Sequence, residues 1–210
     1  MLVLSTNIGN LTPITWNGKE LHTGIFKYPT NSTLLLEKDK VANDAIADRK
    51  VHGGIYKACY LFSAKHYPYW KKRYPNLDWN WGMFGENLSI SDMDETQIRI
   101  GDIYRIGSAL VQITQPREPC FKLGIRFGTQ QILKEFIAYG FPGTYVRILE
   151  EGKVSPEDEL ILIKPSDNNL TIYQFFQLLY AKKKDKKLIR LAIGNIALPE
   201  HKRVRLKKYI

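Results

Sequence analysis

Residues Ile103-Tyr104-Arg105-Ile106-Gly107-Ser108-Ala109-Leu110-Val111-Gln112-Ile113-Thr114-Gln115 read as two strands joined by a tight turn. β-Branched and aromatic residues fill both runs, and Gly107-Ser108 supplies the reversal. The same pattern extends outward over the first 165 residues. Short apolar runs at 2–6, 33–37, 55–62, 97–100, 144–150 and 159–163 are separated by Gly, Asn and Asp. Gly101-Asp102 reads as a further hairpin turn between 97–100 and 103–106. Many short antiparallel strands predict a barrel or sandwich, mainly β with some helices.

Two helices are expected among these strands. One covers 63–74 and is rich in aromatic and basic residues; the other covers 130–139, with Thr129 as its cap and Gly140 as its stop. Ile132, Leu133, Phe136 and Ile137 form one apolar stripe on the second helix, which reads as core. Pro165-Ser166-Asp167-Asn168-Asn169 is a turn-rich boundary after which helical periodicity begins. This divides the chain into a β domain, 1–165, and a helical appendage, 166–210. Thr171 can cap a helix running to Tyr180, residues 188–193 read as a second helix stopped by Gly194-Asn195, and Pro199 opens a third.

Composition narrows the class. With 210 residues, 44 % of them apolar, the chain can bury a substantial core. Cys59 and Cys120 are the two cysteines, so no disulfide framework and no C-x-x-C zinc knuckle is present, which suits a reducing cytoplasm. Met1-Leu2-Val3-Leu4-Ser5 reads as a first strand rather than a secretion signal, and no apolar run has the length of a membrane span. The net charge of +10 is uneven, with 11 basic and 3 acidic residues in 166–210. These cations lack a nucleic-acid reading motif, so they are expected to form a solvated face or to dock an acidic electron donor.

The strand that ends at Gln115 leads into Thr114-Gln115-Pro116-Arg117-Glu118-Pro119-Cys120-Phe121-Lys122. Two prolines stiffen this loop and present Cys120 between two cations. A thiolate there can act as a nucleophile or as a soft metal ligand. Three other clusters carry chemistry-bearing residues. Asp48-Arg49-Lys50-Val51-His52-Gly53-Gly54-Ile55-Tyr56-Lys57 sets paired glycines between a histidine and a lysine. Gly82-Met83-Phe84-Gly85-Glu86-Asn87-Leu88 offers Asn87 to a heterocycle edge. Gly140-Phe141-Pro142-Gly143-Thr144-Tyr145-Val146-Arg147 places Tyr145 and Arg147 on one strand face. Neither a Walker loop nor a dinucleotide fingerprint occurs, so an anionic cofactor would need another kind of site.

Several ordered motifs together are specific: Thr23-Gly24-Ile25-Phe26-Lys27-Tyr28-Pro29, Asp48 with VHGGIYKA, GMFGENL, IGDIYRIG, TQPREPC followed by Lys122-Leu123, and GFPGTYVRIL. On these the chain resembles the MOSC domain proteins, related to the C-terminal domains of molybdenum cofactor sulfurases, and in particular their YiiM-like bacterial branch. The resemblance covers nearly the whole chain. Two turns depart from the family's pattern, with Glu157 and Asn43-Asp44 standing where glycine is expected.

The resemblance implies a β-barrel followed by a small three-helix unit, and binding of the molybdenum cofactor, molybdopterin, with no requirement for pyridoxal phosphate. Cys120 falls at the family's reactive-cysteine position, as metal ligand and catalytic residue, and His52 is a second catalytic candidate. Lys27, His52, Lys57, Asn87, Arg117, Tyr145 and Arg147 are candidates for holding pterin, phosphate or substrate. The implied activity is a molybdenum-dependent oxidoreductase that removes oxygen from N-hydroxylated compounds such as hydroxylamino-purine-like bases, a detoxification reaction. Its electrons would come from an external donor reductase, a flavoprotein or similar, because the chain has no flavin or nicotinamide fingerprint. Two other classes stay open: a non-catalytic molybdopterin or sulfur carrier, and a metal-free cysteine hydrolase using Cys120 with His52 as base. No nucleic-acid or membrane partner is expected, and a homodimer stands as an alternative to a monomer.

Overall fold

The structure, a computed structural model, describes residues 1–30, 32–45, 47 and 53–210. Its strands are β1 (Val3–Gly9), β2 (Thr12–Trp16), β3 (Lys19–Thr23), β4 (Lys27–Thr30), β5 (Leu34–Glu37), β6 (Lys40–Val41), β7 (Cys59–Ser63), β8 (Leu88–Ile90), β9 (Ile103–Ile106), β10 (Ala109–Pro116), β11 (Thr144–Glu150), β12 (Gly152–Val154) and β13 (Leu160–Lys164). The α-helices are α1 (Tyr67–Arg73), α2 (Phe121–Arg126), α3 (Gln131–Tyr139), α4 (Ile172–Tyr180), α5 (Lys186–Gly194) and α6 (Glu200–Leu206).

The main sheet has eight strands in the order β13-β9-β10-β11-β7-β8-β1-β4, and only the β7–β8 pair within it is parallel. The 103–115 hairpin forms as read, turning at Gly107 with φ 53°. Residues 97–100 do not form the expected strand. The Asp102 carboxylate accepts from the backbone N–H of Arg99 (2.8 Å) and of Ser166 (2.7 Å), which folds this segment into a turn. Residues 55–57 are a 3-10 turn, so the strand expected from Ile55 begins at Cys59.

The expected barrel does not close. β13 meets β1 through one antiparallel bridge, Leu2 to Glu159, with Leu160 N–H donating to Met1 O at 2.7 Å. From Thr6 onward β1 pairs with β4 instead, which leaves β13 no further ladder there. The result is a mixed α/β structure built on a large, strongly wrapped sheet.

The C-terminal helices follow their local signals. Thr171 and Gln174 form a reciprocal capping box on α4, and Asp185 caps α5. Leu170, Ile172, Phe175, Ile189 and Leu198 join the sheet residues Leu61, Ile106, Val111 and Val146 in one aliphatic core. A second core is aromatic: Tyr60, Phe62, Tyr67, Trp70, Phe84, Phe127, Phe136 and Phe176. β7 divides the two, because alternate residues of a strand point to opposite faces. Cys59 and Leu61 face the aliphatic side, while Tyr60 and Phe62 face the aromatic one. Asn43 and Glu157, the two non-glycine turn residues, both adopt left-handed backbone with φ 62° and 74°. The turns therefore keep the geometry a glycine would favour without the glycine.

Candidate functional site

A register shift in the β10–β11 ladder between Ile113 and Gln115 leaves Thr114 out of the pairing, which resumes at Gln115–Tyr145 and Pro116–Thr144. Thr114 fixes that shift by donating its hydroxyl to Tyr56 O at 2.7 Å. The chain then runs through Arg117-Glu118-Pro119 to Cys120, which is the N-cap residue of the short helix α2. This loop forms one wall of a solvent-open cleft whose enclosed volume is about 90 Å³.

Lys27, Lys57, Asn87, Arg117, Cys120 and Tyr145 all line this cleft. Six site residues proposed from five separate segments thus meet in one place. Arg147 is not among its lining residues; its guanidinium lies 5.8 Å from the Tyr56 ring. His52, with Asp48, lies outside the described residues.

The residues play different parts. Lys27, 6 % exposed, forms an ion pair with the Asp44 carboxylate, whose side chain is 4 % exposed. Asp44 also accepts from Gly9 N–H at 3.1 Å and from the Asn87 amide at 2.9 Å. Removing one partner of such a pair strands a buried charge, so this unit is a wall of the cleft rather than a free cation. Asn87 is equally committed, since its carbonyl oxygen accepts from Tyr60 N–H at 3.2 Å. Gly24 lies against Ala45: a Cβ there would come within 1.9 Å of the Ala45 carbonyl oxygen, so only glycine permits this wall. Glu86 pins the Gly82–Asn87 loop from beneath, accepting from Gly82 N–H (2.9 Å), Phe84 N–H (3.1 Å), the Ser89 hydroxyl (2.9 Å) and the Tyr67 hydroxyl.

Arg117 is different. It is 6 % exposed, it lies between the rings of Tyr60 (5.7 Å) and Phe136 (5.5 Å), and its Nη1 has no hydrogen-bond partner among the described residues. Burial lifts the Tyr145 phenol above its ordinary range, against the pull of the Arg117 charge, so Tyr145 stays a donor at neutral pH. Lys57 sits 5.7 Å from the Tyr145 ring. Burial, then the nearby Lys202 ammonium, lower its pKa, while Glu118 and Cys120 oppose them. Cys59, directly behind the cleft wall, is 1 % exposed and burial raises its thiol far out of the reactive range, whereas Cys120 is partly open.

Some cleft residues were outside the sequence-based candidates. Lys122 shares the cysteine loop and could have been included on that ground. Asp44 carries a weaker signal: a buried lysine needs a carboxylate, but not a particular one.

The MOSC domain family matches residues 48–161, more than half of the chain, and the chain belongs to that family. Within it the likeness is to YiiM proteins. The crystal structure of YiiM from Geobacillus stearothermophilus superposes with a TM-score of 0.82 at 27 % identity, covering 99 % of this chain and 98 % of that one. In sequence the chain is 34 % identical to the uncharacterized protein YflK of Bacillus subtilis, over 98 % of this chain and 93 % of that protein. It is also 32 % identical to a reductase of Gibberella moniliformis, over 70 % of this chain but 27 % of that longer protein. Among the described residues no helix is long and apolar enough to cross a membrane.

Proposed function

We propose that the cleft holds a molybdenum–pterin cofactor with Cys120 as a metal ligand, and that the chain reduces small N-hydroxylated compounds, including hydroxylamino-purine-like bases. The observation that carries this reading is the Arg117 guanidinium, buried and with Nη1 unpartnered, on the wall that also presents Cys120. A buried cation with an open donor is completed by an anion, and a phosphate suits the planar fork of arginine. Lys57 and Lys122 add positive charge around the same space. Among the described residues no set of three His, Cys, Asp or Glu could hold a metal by itself. Cys120 would therefore give one soft thiolate to a metal whose other ligands arrive with the pterin.

When bound, such a group supplies two-electron chemistry at a metal that accepts oxygen from the N–O bond. The chain's residues do the rest. Arg117 and Lys57 hold the anionic group, while Ile25, Tyr60 and Phe84 exclude water and offer flat apolar surface to a heterocycle. The balanced reaction takes R–NH–OH, two electrons and two protons to R–NH2 and water. Tyr145 and Lys57 are two of the cleft's O–H and N–H groups, and they serve as donors for the departing oxygen. The electrons come from a separate reductase, a flavoprotein or similar, in line with the reductase name of the longer Gibberella relative.

Protein produced in a molybdopterin-competent host, given 6-hydroxylaminopurine and a chemically reduced viologen donor, should form adenine with two electrons consumed per product. Molybdenum-loaded protein that leaves the N–OH compound unchanged would contradict the reductase reading.

A further inference from the structure

The C-terminal segment carries most of the chain's charge imbalance: Lys182 to Lys208 holds 11 lysines and arginines against Asp185 and Glu200. Helix packing brings part of this charge next to the cleft. The Lys202 ammonium on α6 pairs with Glu118 of the cysteine loop, which joins the helical unit to the cleft rim. Tyr180, the last residue of α4, is 38 % exposed, and the charges of both Glu118 and Arg117 act on its phenol. Inward from it the Phe176 ring lies 5.0 Å away and Phe136 a further 6.4 Å, with the Arg117 guanidinium 5.5 Å beyond. Three packed rings thus connect this face to the cleft wall.

The face itself is mixed. Lys184 donates to the carbonyl oxygens of Leu178 (2.7 Å) and Leu179 (2.8 Å), which ties the Lys182–Lys184 turn to the end of α4. Its ammonium lies 5.7 Å from the Tyr209 ring, and that of Lys208 lies 5.0 Å from the same ring. Lys182, Lys183, Lys207 and Lys208 are exposed, and so are Tyr209 and Ile210. A surface groove beside Tyr180 is lined by Phe176, Leu188 and Lys183; its carboxylate, Asp185, is spent capping α5 through the Lys187 N–H at 2.7 Å. Phosphate backbones are held by cations and hydrogen-bond donors, whereas a protein partner also covers apolar surface inside a polar rim. Cations set around Tyr180, Tyr209 and Ile210 therefore fit an acidic protein better than a nucleic acid.

We propose that the face carrying Tyr180, Lys183, Lys208 and Tyr209 docks a small acidic flavoprotein that supplies the cleft with electrons. The purpose of that contact rests on the reductase reading of the cleft; the contact itself does not. A flavin hydroquinone, FlH2, in the partner and R–NH–OH give oxidised Fl, R–NH2 and water, so electrons and protons balance. Redox partners meet over small interfaces, and complementary charge steers them together.

Flavodoxin, a small acidic flavoprotein, serves as the probe in calorimetric titrations of the full chain at low ionic strength. Wild type should bind it, with affinity falling as salt is raised. Lys183→Glu/Lys208→Glu should weaken binding about tenfold or more, and Lys183→Arg/Lys208→Arg should keep wild-type affinity. Lys71→Glu/Lys72→Glu makes the same change of charge at exposed positions on α1 and should bind within about twofold of wild type. Equal thermal midpoints across the set exclude a folding defect.

In turnover, Lys183→Glu/Lys208→Glu should lose rate at limiting flavodoxin by the same factor yet keep the viologen-driven rate, because a small donor needs no docking. No flavodoxin binding by wild type, or equal weakening by the α1 pair, would overturn the proposal. So would duplex DNA binding that Lys183→Glu/Lys208→Glu abolishes while flavodoxin binding persists. Docking that follows the expected pattern without viologen-driven reduction of the N–OH compound would remove the reductase reading and leave the docking surface standing.

Discussion

The two cores on either side of β7 are built from different materials and serve different ends. The largely aliphatic core, with Leu61, Ile106, Val111, Ile172 and Ile189, ties sheet to C-terminal helices and, among the described residues, touches the cleft only at Ala58. The aromatic core meets the cleft through Ile25, Tyr60 and Phe84 and packs Arg117 between two rings. Aliphatic side chains fill space without direction. Aromatic faces also tolerate a buried guanidinium, through cation–π attraction, and so can keep a charge with an open donor in place for a ligand. Stability and function are thus separated by one strand whose alternate residues belong to different cores.

That separation can be broken most heavily on the aliphatic side. Ile106→Ala, at a fully buried position, should cost about 3 kcal/mol in urea unfolding, yet leave pyrophosphate affinity of the folded fraction unchanged. On the aromatic side the pattern inverts. Arg117→Met should change stability by less than about 1 kcal/mol, because a buried guanidinium with one open donor is replaced by an apolar chain, while anion affinity falls about tenfold or more.

A subtler probe is Glu86, beneath the cleft loop. Burial raises its pKa in the folded state above the ordinary 4.5, against the pull of its hydrogen bonds. A carboxyl raised on folding favours the fold when protonated. Its contribution is therefore full below the unfolded value and lost as pH rises through the folded one. Glu86→Gln should flatten that part of the stability profile, seen in urea midpoints measured from pH 4 to pH 8. The smallest effect is expected at an exposed turn: Glu157→Gly should relieve the left-handed strain and gain about 0.5–1 kcal/mol, with activity unchanged.

The legible parts of the fold were those in which a local signal met no competitor. The 103–115 hairpin, the Thr171 cap and the Gly140 stop, left-handed at φ 85°, are of this kind. The reading of 97–100 as a strand failed because its backbone donors go elsewhere: Gln97 and Ile98 N–H to Asp94 O, Arg99 N–H to the Asp102 carboxylate and Ile100 N–H to Leu170 O. The β2–β3 hairpin was passed over although Asn17-Gly18, with φ 50° and 73°, is a strong turn signal. α2 could not be read, since six residues containing Gly124 and following Pro119 carry little helical signal.

At the site, ordered motifs identified the cleft's cations and its cysteine, but not how each is used. Lys27 and Asn87 turn out to be engaged by Asp44 and the backbone of Tyr60. The pairing of Glu118 with a residue 84 positions away depends on helix packing that no local pattern encodes.

The central claim is that the partly open thiol of Cys120 and the open Nη1 of the Arg117 guanidinium together hold one molybdenum-bearing anionic group. Metal and pterin analysis of protein purified from a molybdopterin-competent host, comparing wild type with Cys120→Ala, tests it most directly. Wild type should carry molybdenum with pterin in near-equal amount, and Cys120→Ala should lose most of the metal. Equal molybdenum in both would contradict Cys120 as an essential ligand, and no molybdopterin in either would contradict the cofactor itself.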